Sequence, residues 1–141
     1  MEAIFDDSLL TGDKMIDDQH RELISRINNL LLLCENEKPA KREAVETLDY
    51  LADYTEFHFK AEEELQEKIG YPAFEEHKKK HEELRQVVRD LYDMLEEQEG
   101  PSEDFVKQVN RNVVEWLYNH IRGFDRSVAE YRFMRDNENR I

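Results

Sequence analysis

Hydrophobic residues recur every three or four positions along most of the chain, which is the period of an amphipathic α-helix. Breaks interrupt this pattern at residues 35–38, 70–72 and 100–101. The second and third breaks each contain a glycine and a proline, which end and restart helices. The pattern therefore predicts four helices with short connections between them.

Particular residues mark where each helix is expected to begin. Asp17 or Asp18 opens the first helix, whose early acids suit the positive end of the helix dipole. Pro39 fits the first turn of the second helix, and Pro72 restarts the chain as the third. Ser102 is a candidate N-cap for the fourth. Because short connections favour antiparallel neighbours, we predict an all-α, up-down-up-down four-helix bundle.

The two ends of the chain lack a long helical period. Residues 1–16 are expected to form an irregular arm, and residues 126–141 a polar tail with a short last helix. Apolar residues of both ends are expected to pack against the bundle: Ile4, Phe5, Leu9 and Leu10 in the arm, and Tyr131, Phe133 and Met134 in the tail. With these segments included, residues 1–141 are predicted to form one domain.

The composition is acidic, since 34 Asp and Glu residues against 20 Lys and Arg residues give a net charge of −14. This charge repels nucleic acids and anionic membrane surfaces, so neither is an expected partner. No apolar run approaches the roughly 20 residues of a membrane-spanning helix, and no secretory signal pattern opens the chain. We therefore expect a cytoplasmic protein. The acidic surface offers no evident hydrophobic seam beyond the core faces, which favours a monomer over an oligomer. The single cysteine, Cys34, lies on an apolar stripe and is expected to be a buried, unreactive thiol.

All five histidines fall at positions that the helical period assigns to the bundle interior. His58 and Glu62 stand four residues apart, as do His77 and His81, so each pair lies on one helix face. In an antiparallel bundle, the starts of the first and third helices lie beside the ends of the second and fourth. We therefore expect one layer of polar residues: His20, His58, Glu62, His77, His81, His120 and Asp125.

Such a layer is difficult to explain by packing alone. A single inward histidine is usually a core residue with a hydrogen bond, but unpaired buried carboxylates cost several kcal/mol each. A bound cation removes this cost, because each side chain becomes a ligand. Imidazole and carboxylate donors favour first-row transition metals, and the set exceeds what one zinc ion needs. If Glu62 and Asp125 bridge two octahedral metals together with a solvent oxygen, one position stays open for a small ligand such as dioxygen.

The order and spacing of these residues resemble the ligand pattern of the hemerythrin family. The similarity extends to the residues around them, which read IDDQH, HFKAEEE, GYPAFEEHKKKH and WLYNHIRGFD. The resemblance covers almost the whole chain, which looks like the single-domain bacterial form of the family.

The resemblance implies a non-haem di-iron centre with an oxo or hydroxo bridge. One iron would be held by His77, His81 and His120, and the other by His20 and His58. Glu62 and Asp125 would bridge the two irons. In this family dioxygen binds reversibly at the iron with two histidines, inside an apolar pocket. The corresponding pocket residues are expected to be Leu23, Phe59, Trp116, Leu117 and Ile121.

Some positions depart from the family pattern. Gln66 stands where Met is common, Phe5 is the aromatic residue of an arm that often contains Trp, and Val128 replaces a frequent Tyr. The spacing of His120 and Asp125 is also unusual, since residues five apart differ by about 140° on a regular helix. We therefore predict a widened, π-type turn near Gly123.

The resemblance leads to one main function hypothesis, reversible dioxygen binding for storage, transport or delivery without catalysis. One alternative is an oxygen or redox sensor, in which oxidation of the irons moves the arm or the tail against a partner. Another is a di-iron oxidase or peroxidase. Ferritin-like oxidases use Glu-x-x-His pairs, and no glutamate here lies three residues before a histidine.

Overall fold

The backbone follows the predicted order of helices. The structure is a computed structural model that describes residues 3–36 and 40–137. Helix α1 spans Lys14–Cys34, α2 spans Lys41–Ile69 and α3 spans Phe74–Glu97. The rest is one helical run: α4 (Glu103–Gln108), a first π segment (Val109–Val114), α5 (Glu115–His120), a second π segment (Ile121–Asp125) and α6 (Arg126–Asn137). The all-α bundle with an N-terminal arm and a C-terminal helix is thus confirmed.

Helix α1 begins earlier than the sequence predicted. The side chain of Asp13 accepts a backbone N–H of the first turn at 3.2 Å and caps the helix, so Lys14 is its first residue rather than Asp17 or Asp18. Asp17 is buried instead, and its carboxylate accepts the backbone N–H and the hydroxyl of Thr11 at 2.9 and 2.7 Å. The hydrophobic period could not reveal this start, because a cap depends on one local hydrogen bond.

The other helix ends follow the predicted residues more closely. Ser102 accepts the N–H of Phe105 at 3.1 Å, which confirms it as an N-cap. Gly70 follows α2 with φ of 67°, the left-handed conformation that glycine adopts without strain. Helix α3 starts two residues after Pro72. Pro39 lies outside the described residues.

The predicted contacts of the chain ends form only in part. Leu9 is buried, and Phe5 and Tyr131 pack against the core at its edge. Four other predicted contacts are wrong, because these side chains are exposed: Ile4, Leu10, Phe133 and Met134. In α6 the buried residues are Val128 and Ala129. Apolar composition identified these segments but not the face that meets the bundle.

The cysteine is less buried than predicted. Cys34 ends α1 and is half-buried rather than buried. Burial nevertheless raises the pKa of its thiol to about 11. Because the thiolate is the reactive form, this thiol is expected to be inert.

Two apolar clusters fill the interior and lie on either side of the histidines. The large cluster includes Leu23, Phe59, Leu84 and Leu117. The small one, at one end of the bundle, contains Ile16, Leu65, Ile69, Val128 and Ala129. Along α1, His20 falls between Ile16 and Leu23, and along α2, Glu62 falls between Phe59 and Leu65. The polar layer is therefore enclosed by apolar packing. No helix in the described part of the chain is long and apolar enough to cross a membrane.

Two leucines of α1 test which face of this helix is interior. Leu30 has no exposed surface, whereas Leu32, two residues later, is 64% exposed. Leu30→Ala is expected to lower the free energy of unfolding by about 2–5 kcal/mol, because it leaves a cavity. Leu32→Ala is expected to change it by less than about 0.5 kcal/mol. Denaturant unfolding measures both, and equal losses would contradict the assigned face.

Candidate metal centre

The seven residues singled out from the sequence meet in one buried layer. They come from every long helix: His20 from α1, His58 and Glu62 from α2, His77 and His81 from α3, His120 from α5 and Asp125 from the second π segment. None of them is more than 3% exposed. No lysine or arginine of the described ranges is buried with them.

The first donor group contains three histidines. His77 Nε2 lies 2.8 Å from Glu62 Oε1, 2.9 Å from Asp125 Oδ1 and 2.9 Å from His120 Nε2. His120 Nε2 also lies 3.1 Å from Asp125 Oδ1. With His81, these five residues offer ligand atoms that all lie within 4.8 Å of one another. Such convergence of ring nitrogens and carboxylate oxygens suits a single cation.

The second donor group contains two histidines. His20 Nε2 lies 2.6 Å from Asp125 Oδ2, and His58 Nε2 lies 2.9 Å from Glu62 Oε2. These four residues also bring ligand atoms within 4.8 Å of one another. Glu62 and Asp125 belong to both groups and face each group with a different oxygen. This is the arrangement that two bridging carboxylates require.

The charges of the layer depend on one another. Burial disfavours the protonated ring of His58, but the nearby carboxylates of Asp125 and Glu62 outweigh burial and raise its pKa to about 10. The same balance raises the pKa of His77 to about 9. Burial lowers the pKa of His81 far below its usual value, and the neighbouring histidines add to this effect. A cation therefore competes with protons for His58 and His77, but meets His81 already unprotonated.

Several buried atoms of the layer have no hydrogen-bond partner in the described part of the chain. They are His58 Nε2, His81 Nε2, both carboxylate oxygens of Glu62 and Oδ1 of Asp125, together with Nδ1 of His20 and of His120, the ring nitrogens opposite those that face Asp125. Unpaired buried polar atoms are costly and rare in native proteins. A cation would give a partner to the first five of these atoms, so the residues fit a metal centre.

A widened turn lets His120 and Asp125 reach the same layer. Residues Ile121–Asp125 form a π segment, which confirms the turn predicted near Gly123. Gly123 does not have a positive φ, so the turn does not depend on glycine geometry. The first π segment, Val109–Val114, was not predicted, because no pair of polar residues in it demands a change of helical phase.

Three side chains whose contacts the sequence did not predict support the histidine rings from behind. His58 Nδ1 lies 2.7 Å from Gln19 Oε1. His77 Nδ1 lies 3.1 Å from Gln66 Nε2, and His81 Nδ1 lies 3.2 Å from Glu63 Oε2. Such partners fix the tautomer and orientation of metal-binding histidines. Their position near the predicted donors in the sequence could have indicated these contacts. The indication is weak, because glutamine and glutamate are also common on helix surfaces.

Apolar and aromatic side chains surround the layer. Leu23, Phe59 and Leu117 line a narrow cavity of about 10 Å³ in the bundle interior. Trp116 is half-buried and stacks on the His120 ring at 4.4 Å between centroids, and Ile121 is fully buried. The role of these five residues in an oxygen pocket stays a prediction.

Comparison with known proteins decides the family. The profile of the hemerythrin HHE cation binding domain matches residues 11–131. The chain belongs to the hemerythrin family. It is 38% identical over 128 residues to a bacteriohemerythrin of Stenotrophomonas maltophilia, covering 90% of this chain and 79% of the relative. It is 32% identical over 122 residues to a hemerythrin-like protein of Naegleria gruberi, covering 86% of each.

Solved hemerythrin structures share the fold. A wild-type hemerythrin crystal structure superposes with a TM-score of 0.72 at 31% identity, over 85% of this chain and 88% of that one. The crystal structure of a hemerythrin mutant gives a TM-score of 0.77 at 28% identity, over 93% of this chain and 98% of that one. The cofactor of the hemerythrin domain is a di-iron centre, and the histidine and carboxylate cluster is positioned to hold metal.

The side-chain amide of Gln66 presents its nitrogen to His77, where a metal-bound histidine ring needs an oxygen. Its Nε2 points at His77 Nδ1, and its Oε1 has no hydrogen-bond partner among the described residues. A ring that binds a cation through Nε2 carries its proton on Nδ1, which needs an acceptor. The amide of Gln66 must therefore present its oxygen to His77 when a metal is bound.

Substitution of Gln66 tests this contact. Gln66→Leu removes the acceptor and is expected to weaken iron binding about tenfold. Gln66→Glu keeps an acceptor and is expected to hold iron at least as tightly as the unchanged protein. Iron retention in the presence of a chelator measures both, with exposed Gln86→Leu as the control. Unchanged retention in Gln66→Leu would contradict a supporting role for Gln66.

Proposed function

We propose that this hemerythrin-family chain binds dioxygen reversibly at its di-iron centre, for storage, transport or delivery, and that it is not an enzyme. One observation carries the proposal: the two donor groups share Glu62 and Asp125 but differ in their number of histidines. An ion in the group with two histidines receives fewer protein donors. This difference favours one open position for a small ligand.

The proposed ligands follow the two donor groups. His77, His81 and His120 would hold one iron, and His20 and His58 would hold the other. Glu62 and Asp125, which belong to both groups, would be shared between the two. When bound, two ferrous ions supply the electrons and the open coordination position that reversible dioxygen binding requires.

Apolar side chains beside the seven donors favour a centre from which water is excluded. Leu23, Phe59 and Leu117 are at most 3% exposed and form an apolar wall beside the layer. A dry pocket slows the irreversible oxidation that water and protons promote. All five histidines of the chain are used as ligands, so none is left as a general acid or base. Both features support reversible binding rather than catalysis.

A sensing role is the second candidate. Asp125 is followed directly by α6, in which Phe133 and Met134 are 70% and 69% exposed. A change in the position of Asp125 would reach this apolar surface through one continuous helix. Storage or delivery requires no such coupling.

We also propose that the chain acts as a single cytoplasmic domain and as a monomer. The net charge of −14 supports the monomer, because like charges oppose association between copies.

The visible spectrum of iron-loaded protein tests oxygen binding. The protein is reduced without oxygen, exposed to air and returned to anaerobic conditions. Reversible binding is expected to give a nearly colourless reduced form, a charge-transfer band in air, and loss of that band when oxygen is removed. Rapid and permanent conversion to an oxidised spectrum would favour the sensor or an oxidase instead.

Two histidine substitutions test the ligand assignment. His58→Ala and His120→Ala are each expected to lower the iron content below two ions per chain, because each removes a ligand. Phe57→Ala is the matched control, since Phe57 precedes His58 but is 56% exposed. Metal analysis after gel filtration measures the iron content. Full occupancy in both histidine variants would show that the assignment is wrong.

A further inference from the structure

Two contacts support the His81 ring, and both lead to Arg85. At the ring edge, His81 Nδ1 lies 3.2 Å from Glu63 Oε2. At the ring face, His81 stacks on Phe59 with centroids 3.8 Å apart and planes 9° apart. Arg85 Nη2 lies 3.4 Å from the same Glu63 Oε2, and its guanidinium carbon lies 5.1 Å from the centre of the Phe59 ring. One arginine thus contacts both supports of one histidine.

Arg85 is itself held in place at the surface. Its Nε donates to Glu56 Oε1 at 2.7 Å, and its Nη1 donates to Glu82 Oε1 at 2.6 Å. Its side chain is only 19% exposed. The planar guanidinium therefore links acids of α2 and α3 in a fixed geometry, which a lysine ammonium cannot reproduce.

We propose that Arg85 is a positioning residue for the di-iron centre, which acts on the ring of His81 mainly through Glu63. This inference rests on the proposed role of His81 as an iron ligand. A carboxylate that accepts the Nδ1–H of a metal-bound histidine makes the ring a stronger electron donor. Because His81 and Arg85 share Glu63 Oε2, the guanidinium weakens that effect. Arg85 thus sets how strongly Glu63 favours the oxidised irons.

The two charged residues should therefore shift the iron reduction potential in opposite directions. Arg85→Met leaves Glu63 with its full charge for His81 and is expected to lower the potential. Glu63→Gln keeps a hydrogen-bond acceptor but removes the charge, and is expected to raise it. A tenfold change in the preference between ferric and ferrous iron corresponds to about 59 mV for one electron.

Opposite shifts alone could arise from remote charges, so the test is a double-mutant cycle. Redox titrations of iron-loaded protein compare the unchanged chain, Arg85→Met, Glu63→Gln and the double variant. If Arg85 acts through Glu63, Arg85→Met alone is expected to change the preference between ferric and ferrous iron about tenfold. The same substitution is expected to have little effect in the Glu63→Gln background. An equal shift in both backgrounds would overturn the proposal, as would no shift at all.

Matched variants complete the experiment. Arg89 lies one turn after Arg85 on α3 and hydrogen-bonds to Gln86, so Arg89→Met removes the same charge without touching Glu63. It is expected to leave the potential unchanged, and a shift as large as that of Arg85→Met would overturn the proposal. Arg85→Lys keeps the charge but loses the planar fork, and serves if Arg85→Met does not fold. It is expected to lower the potential by a smaller amount, and an unchanged potential would overturn the proposal.

Iron content separates failure of this inference from failure of the proposed function. If the unchanged chain does not hold two irons, the proposed centre is wrong, and Arg85 has no role in it. If the chain holds two irons and binds oxygen reversibly, but the cycle is additive, only the role of Arg85 is wrong.

Discussion

The burial of five imidazoles and two carboxylates in one layer is the constraint on which the rest of the structure depends. In an apolar interior these groups lose hydration, and no buried lysine or arginine of the described residues neutralises the acids. The layer is stable only if these groups pair with one another or coordinate a shared cation. The polar residues of each helix must therefore lie at the same level along the bundle axis. The alternating direction of the helices makes this possible.

The surroundings of the layer follow from the same constraint. Apolar clusters on both sides keep water out, which strengthens every electrostatic interaction inside. Gln19, Gln66 and Glu63 occupy the ring edges that face away from the centre. Among the described residues no lysine or arginine is buried in the layer, and Arg85, at its border, contacts Glu63 rather than one of the seven donors. The positive charge of Arg85 thus reaches the layer through the carboxylate of Glu63 and not by direct contact.

Much of this arrangement could be predicted from the sequence because long helices impose a strict period. Residues such as His58, Glu62 and His81 fall on helix faces that are buried for most of their length. Their side chains could therefore be predicted to point into the bundle. The five-residue step from His120 to Asp125 even required a π turn, since no regular helix satisfies it. Periodicity was informative wherever a helix was long and packed on one side.

The features that escaped prediction depend on single hydrogen bonds or on packing between helices. The start of α1 depends on one hydrogen bond from the Ile16 N–H to Asp13. The exposure of Phe133 and Met134 depends on the rotation of α6, which a short and mostly polar segment does not encode. The contacts of Gln19, Gln66 and Glu63 appear only when neighbouring helices are in place. Spacing along one helix carries no information about these contacts between helices.

The layer also joins parts of the chain that are far apart in sequence. His20 and Asp125, which meet at 2.6 Å, are separated by 105 residues. With a single cysteine, the chain has no internal disulfide to close so long a loop, and loop closure costs entropy that grows with length. Ions held by both residues would act as a reversible cross-link between the first and last helices. Assembly of the centre must then be a late step, because it waits for the final helix to be synthesised and docked.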